Sequence, residues 1–208
     1  MSYRTRGEPQ LSFSDRELFD LAVAWITLSV AFALFLNAPA AGRFSIGFFL
    51  TMAVLSFFTV GVGFLAHELA HKVVAIHYGQ VAEFRADYQM LFLAIMTALI
   101  GFIFAAPGAV YHAGRITVRE NAMIALAGPL TNHALALFFF PFTFVLGPIG
   151  TIGHMGVLIN LFLAAFNMIP FGPLDGKSVW DWNTGVFAAV FVPSVALLVG
   201  FFLTYGFW

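Results

Sequence analysis

The sequence predicts an all-α integral membrane protein: a polytopic bundle of about five spanning helices plus a re-entrant or hairpin segment, with room for a short membrane-associated β element. Three observations carry this. Of the 208 residues, 61% are hydrophobic and only 9% are charged, where soluble domains carry about 25% charged residues. Mean hydropathy is +0.94, more apolar surface than a soluble fold of this length can hide, so the solvent is lipid. The apolar residues also fall into long runs separated by short polar or turn-rich stretches. A net charge of −1 argues against nucleic acid as a partner. The absence of cysteine removes disulfides, iron–sulfur clusters and thiolate metal sites.

Residues 1–20 form a polar N-terminal segment with Arg4, Arg6 and Arg16, and residues 21–208 a single intramembrane domain. Leu21 to Leu36 is the first apolar run. Ala38-Pro39-Ala40 looks like a signal-cleavage site, but the run is at the long end for a signal peptide, so an uncleaved first helix is expected. Ile46 to about Tyr78 is more than long enough to span and carries His67, Glu68, His71 and Lys72 in its second half. Gly79 to Met90 is a polar break with Glu83, Arg85 and Asp87, and its alternation suggests a short strand or loop.

Leu91 to Ala106 is apolar but shorter than the roughly 17 residues a span needs. Gly101 lies inside it and Pro107-Gly108 ends it. After a polar stretch with His112, Arg115, Arg119 and Glu120, Ala122 to Leu146 spans. Gly147-Pro148 turns the chain, Ile152 to Ile169 returns, Pro170 to Thr184 is a loop rich in turn formers, and Gly185 to Tyr205 is the last span.

The chemistry centres on His67-Glu68-Leu69-Ala70-His71. Helical positions i and i+4 share a face, so both imidazoles can reach one ion. Glu68 sits beside a ligand and can reach a metal-bound water as a general base. No charged residue occurs from Phe57 to Ala66, and Val73 to Ile76 is apolar. Ionisable groups inside a span are costly and mark function. A catalytic zinc wants three protein ligands and one open position. Candidates for the third are Asp175, Glu120, Asp181, Glu83, Asp87 and the other histidines His77, His112, His133 and His154. Asp175 follows a stretch stiffened by Pro170, Gly172 and Pro173, which can project a carboxylate sideways into a bundle. The local sequence suits a helix cap equally well.

The H-E-x-x-H motif near the end of one span, with Pro173-Leu174-Asp175-Gly176 after a later one, resembles the site-2 protease family of intramembrane zinc metalloproteases. Ala127-Gly128-Pro129-Leu130-Thr131-Asn132 resembles that family's Ala-Gly-Pro helix start, and Asn167 fits its Asn-x-x-Pro pattern. The resemblance covers roughly Gly63 to Gly176, with the elements in family order. It implies that His67, His71 and Asp175 hold one Zn2+ ion, that Glu68 activates water, and that Asn167 binds substrate backbone or helps stabilise the oxyanion. It implies a transmembrane protein or peptide as substrate, cleaved within the lipid bilayer. Lys177 stands where the family often has a second glycine, and no PDZ or CBS appendage is expected.

Topology gives an independent constraint. If Leu91 to Ala106 spans, Arg4, Arg6, Arg16 and Arg85 face Arg43, Arg115, Arg119 and Lys177 across the membrane, and Asp175 falls opposite His71. If the segment re-enters, only Arg43 lies outside, which satisfies the positive-inside rule. Asp175 then joins the histidines in one leaflet. The expectation is a cell-membrane protein with its site toward the cytoplasm.

A substrate helix must expose backbone before hydrolysis, and Glu83 to Tyr88 is the expected strand for it to pair with. Asn132 and His133 are read as interhelical packing or hydrogen-bonding residues, and Trp180 to Trp182 with Asp181 as an interface belt. The rival functions are a metal-ion transporter and an inactive relative that binds membrane proteins.

Overall fold

A computed structural model describes residues 10–37, 42, 44–104 and 106–206 of the chain. Arg4, Arg6, Arg43 and the Ala38-Pro39-Ala40 stretch discussed above lie outside the described residues. The elements run α1 (Asp15–Asn37), α2 (Ile46–His77), β1 (Val81–Ala86), α3 (Tyr88–Leu99), β2 (Gly108–Ala113), α4 (Val118–Phe139), α5 (Pro148–Asn167), α6 (Asp175–Trp182) and α7 (Thr184–Tyr205). Among the described residues five helices are long and apolar enough to cross a membrane: α1, α2, α4 with its following 3-10 turn Phe140–Phe144, α5 and α7. The protein is an integral membrane protein.

Helix α1 begins at Asp15, six residues before the apolar run, because the Ser14 hydroxyl accepts from the Glu17 N–H at 3.1 Å and so satisfies an orphan donor of the first turn. Leu21, Ala24, Leu28 and Phe32 repeat along one face of α1 and pack on Val60 and Phe64 of α2. The helices come close where Gly61 leaves room: an added Cβ there would sit 1.7 Å from Trp25 Nε1. The Trp25 ring stacks on Phe57 at 4.4 Å and its Nε1 donates to the Phe57 carbonyl at 2.9 Å. Such small-residue contacts replace the hydrophobic driving force that lipid cannot supply.

Leu91 to Ala106 does not cross. Strands β1 and β2 pair antiparallel, from Val81 opposite Ala113 to Ala86 opposite Gly108, and the Asp87 N–H donates to the Pro107 carbonyl at 2.9 Å. The chain between them therefore starts and ends at one point. Its helix α3 has 12 residues, about 18 Å at 1.5 Å per residue, against a hydrocarbon core of about 30 Å. Asp87 caps α3 by accepting from the N–H groups of Gln89 and Met90, and Gly101 reverses the chain at φ +84°. Ala94 and Ala98 seat the helix on Ala31 of α1.

Two sequence expectations need correction. The loop Pro170 to Thr184 contains a helix, α6, because Leu174-Asp175 turns the chain directly into a new N-terminus and Gly176 lets that turn press against Met168, whose carbonyl oxygen lies 2.1 Å from where a Cβ would stand. Second, the stretch Glu83 to Tyr88 expected to pair with a substrate has its β1 N–H groups engaged: one side pairs with β2, and on the other Phe84 and Ala86 donate to Glu17 and Asp20 of α1. The open edge belongs to β2. In the antiparallel alternation Val110 stands opposite Phe84 in a non-hydrogen-bonded pair, so the backbone groups of Gly108, Val110 and His112 face away from β1.

The hairpin, the start of α1, the start of α4 and α6 all lie at one end of the bundle. The described basic residues Arg16, Lys72, Arg85, Arg115, Arg119 and Lys177 gather there too.

Candidate metal centre

His67 and His71 lie about 10 Å past the midpoint of the 32-residue α2 at 1.5 Å per residue, toward its hairpin end. Asp175 arrives from α6. Its Oδ2 is 3.2 Å from His67 Nε2 and 3.4 Å from His71 Nε2. The reading of Asp175 as a cap is settled by geometry: Leu174 is the N-cap and no side chain caps α6. His67 and His71 are buried, and Asp175 is nearly so.

The imidazoles are held from behind by α4. Asn132 donates its Nδ2 to the Gly63 carbonyl at 3.2 Å and to Asn160 Oδ1 at 2.9 Å, which fixes its amide with Oδ1 turned to His67 Nδ1 at 2.6 Å. His71 Nδ1 meets the Ile124 carbonyl at 2.7 Å. Both Nδ1 atoms face acceptors only, so both carry the proton. Both Nε2 lone pairs are then left pointing at a carboxylate oxygen that has no hydrogen-bond partner of its own.

Three acceptors converging in a buried space repel one another unless a cation lies between them. Tetrahedral bonds of about 2.0–2.1 Å would put ligand atoms roughly 3.3–3.4 Å apart, close to the two distances found. Gly128 provides a second fit: a Cβ there would stand 2.5 Å from both Nε2 atoms, filling the space beside the cluster. Ile124, Gly128 and Asn132 are spaced by four on α4, as His67 and His71 are on α2.

Glu68 is buried and its Oε2 has no partner. It lines the same cleft of about 180 Å³ as the three cluster residues, Asn121, Asn167, Ser178 and the strand β2 with His112. Asn167 donates Nδ2 to the carbonyl of Leu163 on its own helix at 3.0 Å.

Of the other third-ligand candidates, His112 lines the cleft outside the cluster, and the rest make contacts elsewhere. Glu120 forms a capping box with Thr117 at the start of α4. Asp181 pairs with Lys177, Glu83 with Ser14 and Arg85, and Asp87 caps α3. His133 bridges the Pro129 carbonyl and Ser194 Oγ, and His154 meets the Gly206 carbonyl. His77 meets the Tyr78 ring edge-on. Asn132, read from the sequence as an interhelical packing or hydrogen-bonding residue, does bond between helices, and in doing so orients His67. The signal for it was its spacing of four from Gly128 in the Ala-Gly-Pro stretch.

Comparison with known proteins finds similarity to a protein of Methanocaldococcus jannaschii named "putative zinc metalloprotease", 43% identical over 201 residues, which covers 94% of this chain and 97% of that protein. The "putative zinc metalloprotease Rip3" of Mycobacterium tuberculosis is 32% identical over 118 residues, 54% of this chain and 26% of Rip3. No protein-family model matches the chain, and no solved structure matches it.

Proposed function

The chain belongs to the site-2 protease family of zinc metalloproteases, and from that premise we propose that it hydrolyses peptide bonds of transmembrane segments inside the bilayer. The observation that carries the reading is the convergence of His67 Nε2, His71 Nε2 and Asp175 Oδ2 beside the unpartnered Glu68 carboxyl. In this reading His67, His71 and Asp175 hold one zinc ion. When bound, zinc supplies Lewis acidity toward water and the scissile carbonyl.

Glu68 Oε2 takes a proton from water and later delivers it to the leaving amine. That oxygen accepts no hydrogen bond from the protein, so its lone pair is free to take the proton. Asn132 and the Ile124 carbonyl hold the two rings in the tautomer that leaves Nε2 free. Asn167 binds substrate backbone or helps stabilise the oxyanion: one Nδ2 hydrogen goes to the Leu163 carbonyl, which leaves the second N–H as a donor and Oδ1 as an acceptor.

A substrate that has unwound adds as a strand to the open edge of β2, whose residues Gly108 to Val110 and His112 line the cleft. Its remaining helix has an apolar crevice of about 330 Å³ between α1, α5 and α7, lined by Phe32, Met155, Ile159, Phe162 and Leu198. The basic end of the bundle faces the cytoplasm of the cell membrane by the positive-inside rule, which puts the site in the cytoplasmic leaflet.

The test is purified protein in detergent, run as wild type and Glu68→Gln side by side with metal quantified and a transmembrane substrate supplied. About one zinc per chain in both, with cleavage only in wild type, is the expected result. Folded wild type that binds no zinc would sink the proposal.

A further inference from the structure

Among the described residues three charged side chains are buried away from the metal cluster: Glu17 and Asp20 of α1, each 1% exposed, and Lys72 of α2, 2% exposed. Buried charges are costly unless fully satisfied, so what they hold is informative. Lys72 Nζ donates to Glu17 Oε2 at 2.5 Å and to the Ser12 carbonyl at 2.6 Å, and lies 4.2 Å from the Phe13 ring centre. The second oxygen of Glu17 accepts from the Phe84 N–H of β1 at 3.0 Å. Asp20 divides its oxygens the same way, one to the Ala86 N–H at 3.3 Å and one to the Tyr88 hydroxyl at 2.5 Å. Arg85 Nη1 stands 3.9 Å from Asp20.

Two acceptors one helical turn apart on α1 therefore meet two of the three outward N–H groups of β1, those of Phe84 and Ala86, doing there what a neighbouring strand would do. Phe84 and Ala86 stand opposite Val110 and Gly108 of β2, the stretch that lines the cleft. Lys72 follows the metal-cluster residue His71 directly in the chain. The contacts run without a gap from the metal helix through Lys72 and Glu17 to β1, and across the pair to the open edge.

We infer that Glu17, Asp20 and Lys72 are positioning residues: they hold the β1 edge, fix the hairpin's height against the metal helix, and so set which peptide bond of a strand on β2 meets the His67, His71 and Asp175 cluster. The inference rests on the proteolytic reading above. It adds that cleavage-site fidelity is determined by carboxylates at the start of the first span, which touch neither substrate nor metal.

The experiment compares wild type, Asp20→Ala and the conservative Asp20→Asn as full chains in detergent. The neutral pair Glu17→Gln with Lys72→Met is carried as a second route if Asp20→Ala fails to fold. Readouts are metal content, hydrogen exchange across residues 81–113 and 60–71, KM and kcat, and product masses. For Asp20→Ala, exchange in the hairpin rises roughly tenfold, the size expected for losing a hydrogen bond to a charged group. The metal helix stays protected and zinc stays bound. KM rises with little change in kcat, and products spread over neighbouring bonds; Asp20→Asn restores the wild-type site.

Unchanged hairpin exchange, or an unchanged single cleavage bond despite a loosened hairpin, overturns the inference. So does loss of metal with exchange rising everywhere, which is a structural role only. If wild type cleaves nothing, the proteolytic reading falls, while the exchange arm still decides whether these carboxylates hold the hairpin.

Discussion

Asn132 Oδ1 lies 2.6 Å from His67 Nδ1, and the same amide is pinned by Gly63 and Asn160. One ring nitrogen is thus fixed as a donor by a hydrogen-bond chain crossing three helices. Asn132→Leu removes the acceptor and leaves the His67 N–H unpaired, so zinc affinity should fall about 10–100-fold. Competition against a chromophoric chelator measures it, and an affinity equal to wild type would refute the orienting role.

Gly128→Ala introduces a single methyl group 2.5 Å from both imidazole Nε2 atoms. Neither ring can retreat, because each is held at Nδ1. The variant should insert and fold with wild-type helicity while binding less than about a tenth of the wild-type zinc, the order of loss expected when a ligand is displaced. Full metal occupancy in this variant would mean the site lies elsewhere.

Metal removal should lower thermal stability as well as activity. Binding to the folded state alone contributes about 2.7 kcal/mol when the free ion stands at a hundred times Kd. Dialysis against a chelator should therefore lower the unfolding temperature, with recovery on adding zinc. Asp175→Ala should start low and respond to neither treatment. A wild-type transition indifferent to chelation would contradict a site formed by α2 and α6 together.

Val110→Pro and Tyr111→Pro separate docking from hairpin integrity. Val110 turns its N–H away from β1, whereas Tyr111 is paired with Glu83. Proline at 110 spares the pairing and blocks the open edge. It should reduce cleavage at least about tenfold, a bond or two of strand addition, with zinc and hairpin protection retained. Proline at 111 should lose hairpin protection too. Normal cleavage by Val110→Pro would remove strand addition on β2.

Because the chain has no cysteine, single cysteines report topology without background. Cysteines at Glu83 and Arg115 should label from the same side of sealed vesicles, and one at Thr143 from the opposite side. Labelling of Glu83 and Arg115 from opposite sides would require Leu91 to Ala106 to cross.

The spans, the metal pair and the returning segment were legible because each leaves a signature along the chain: apolar length, the i to i+4 repeat, and the placement of arginines. Asp175 was legible only once two distant motifs were set together, since its neighbours suit a cap as well as a ligand. Strand β2 was not, because Gly108 to Ala113 mixes Gly, Ala, Val, Tyr and His without alternation and owes its form to pairing with β1. Glu17 and Asp20 looked like the solvated end of a polar segment. Their burial depends on backbone N–H groups more than sixty residues away, which no local pattern encodes. That α1 takes the N–H groups of Phe84 and Ala86 was hidden for the same reason.

Helix α4 contributes a carbonyl, a gap and an amide at one-turn intervals, at Ile124, Gly128 and Asn132, and itself gives no atom to the cluster. The three cluster residues and Glu68 come from α2 and α6, and the rings stand correctly only when α4 is docked in register. A newly inserted chain whose helices have not yet associated can therefore hold no competent centre. Under the proteolytic reading, the chemistry would await completed assembly of the bundle.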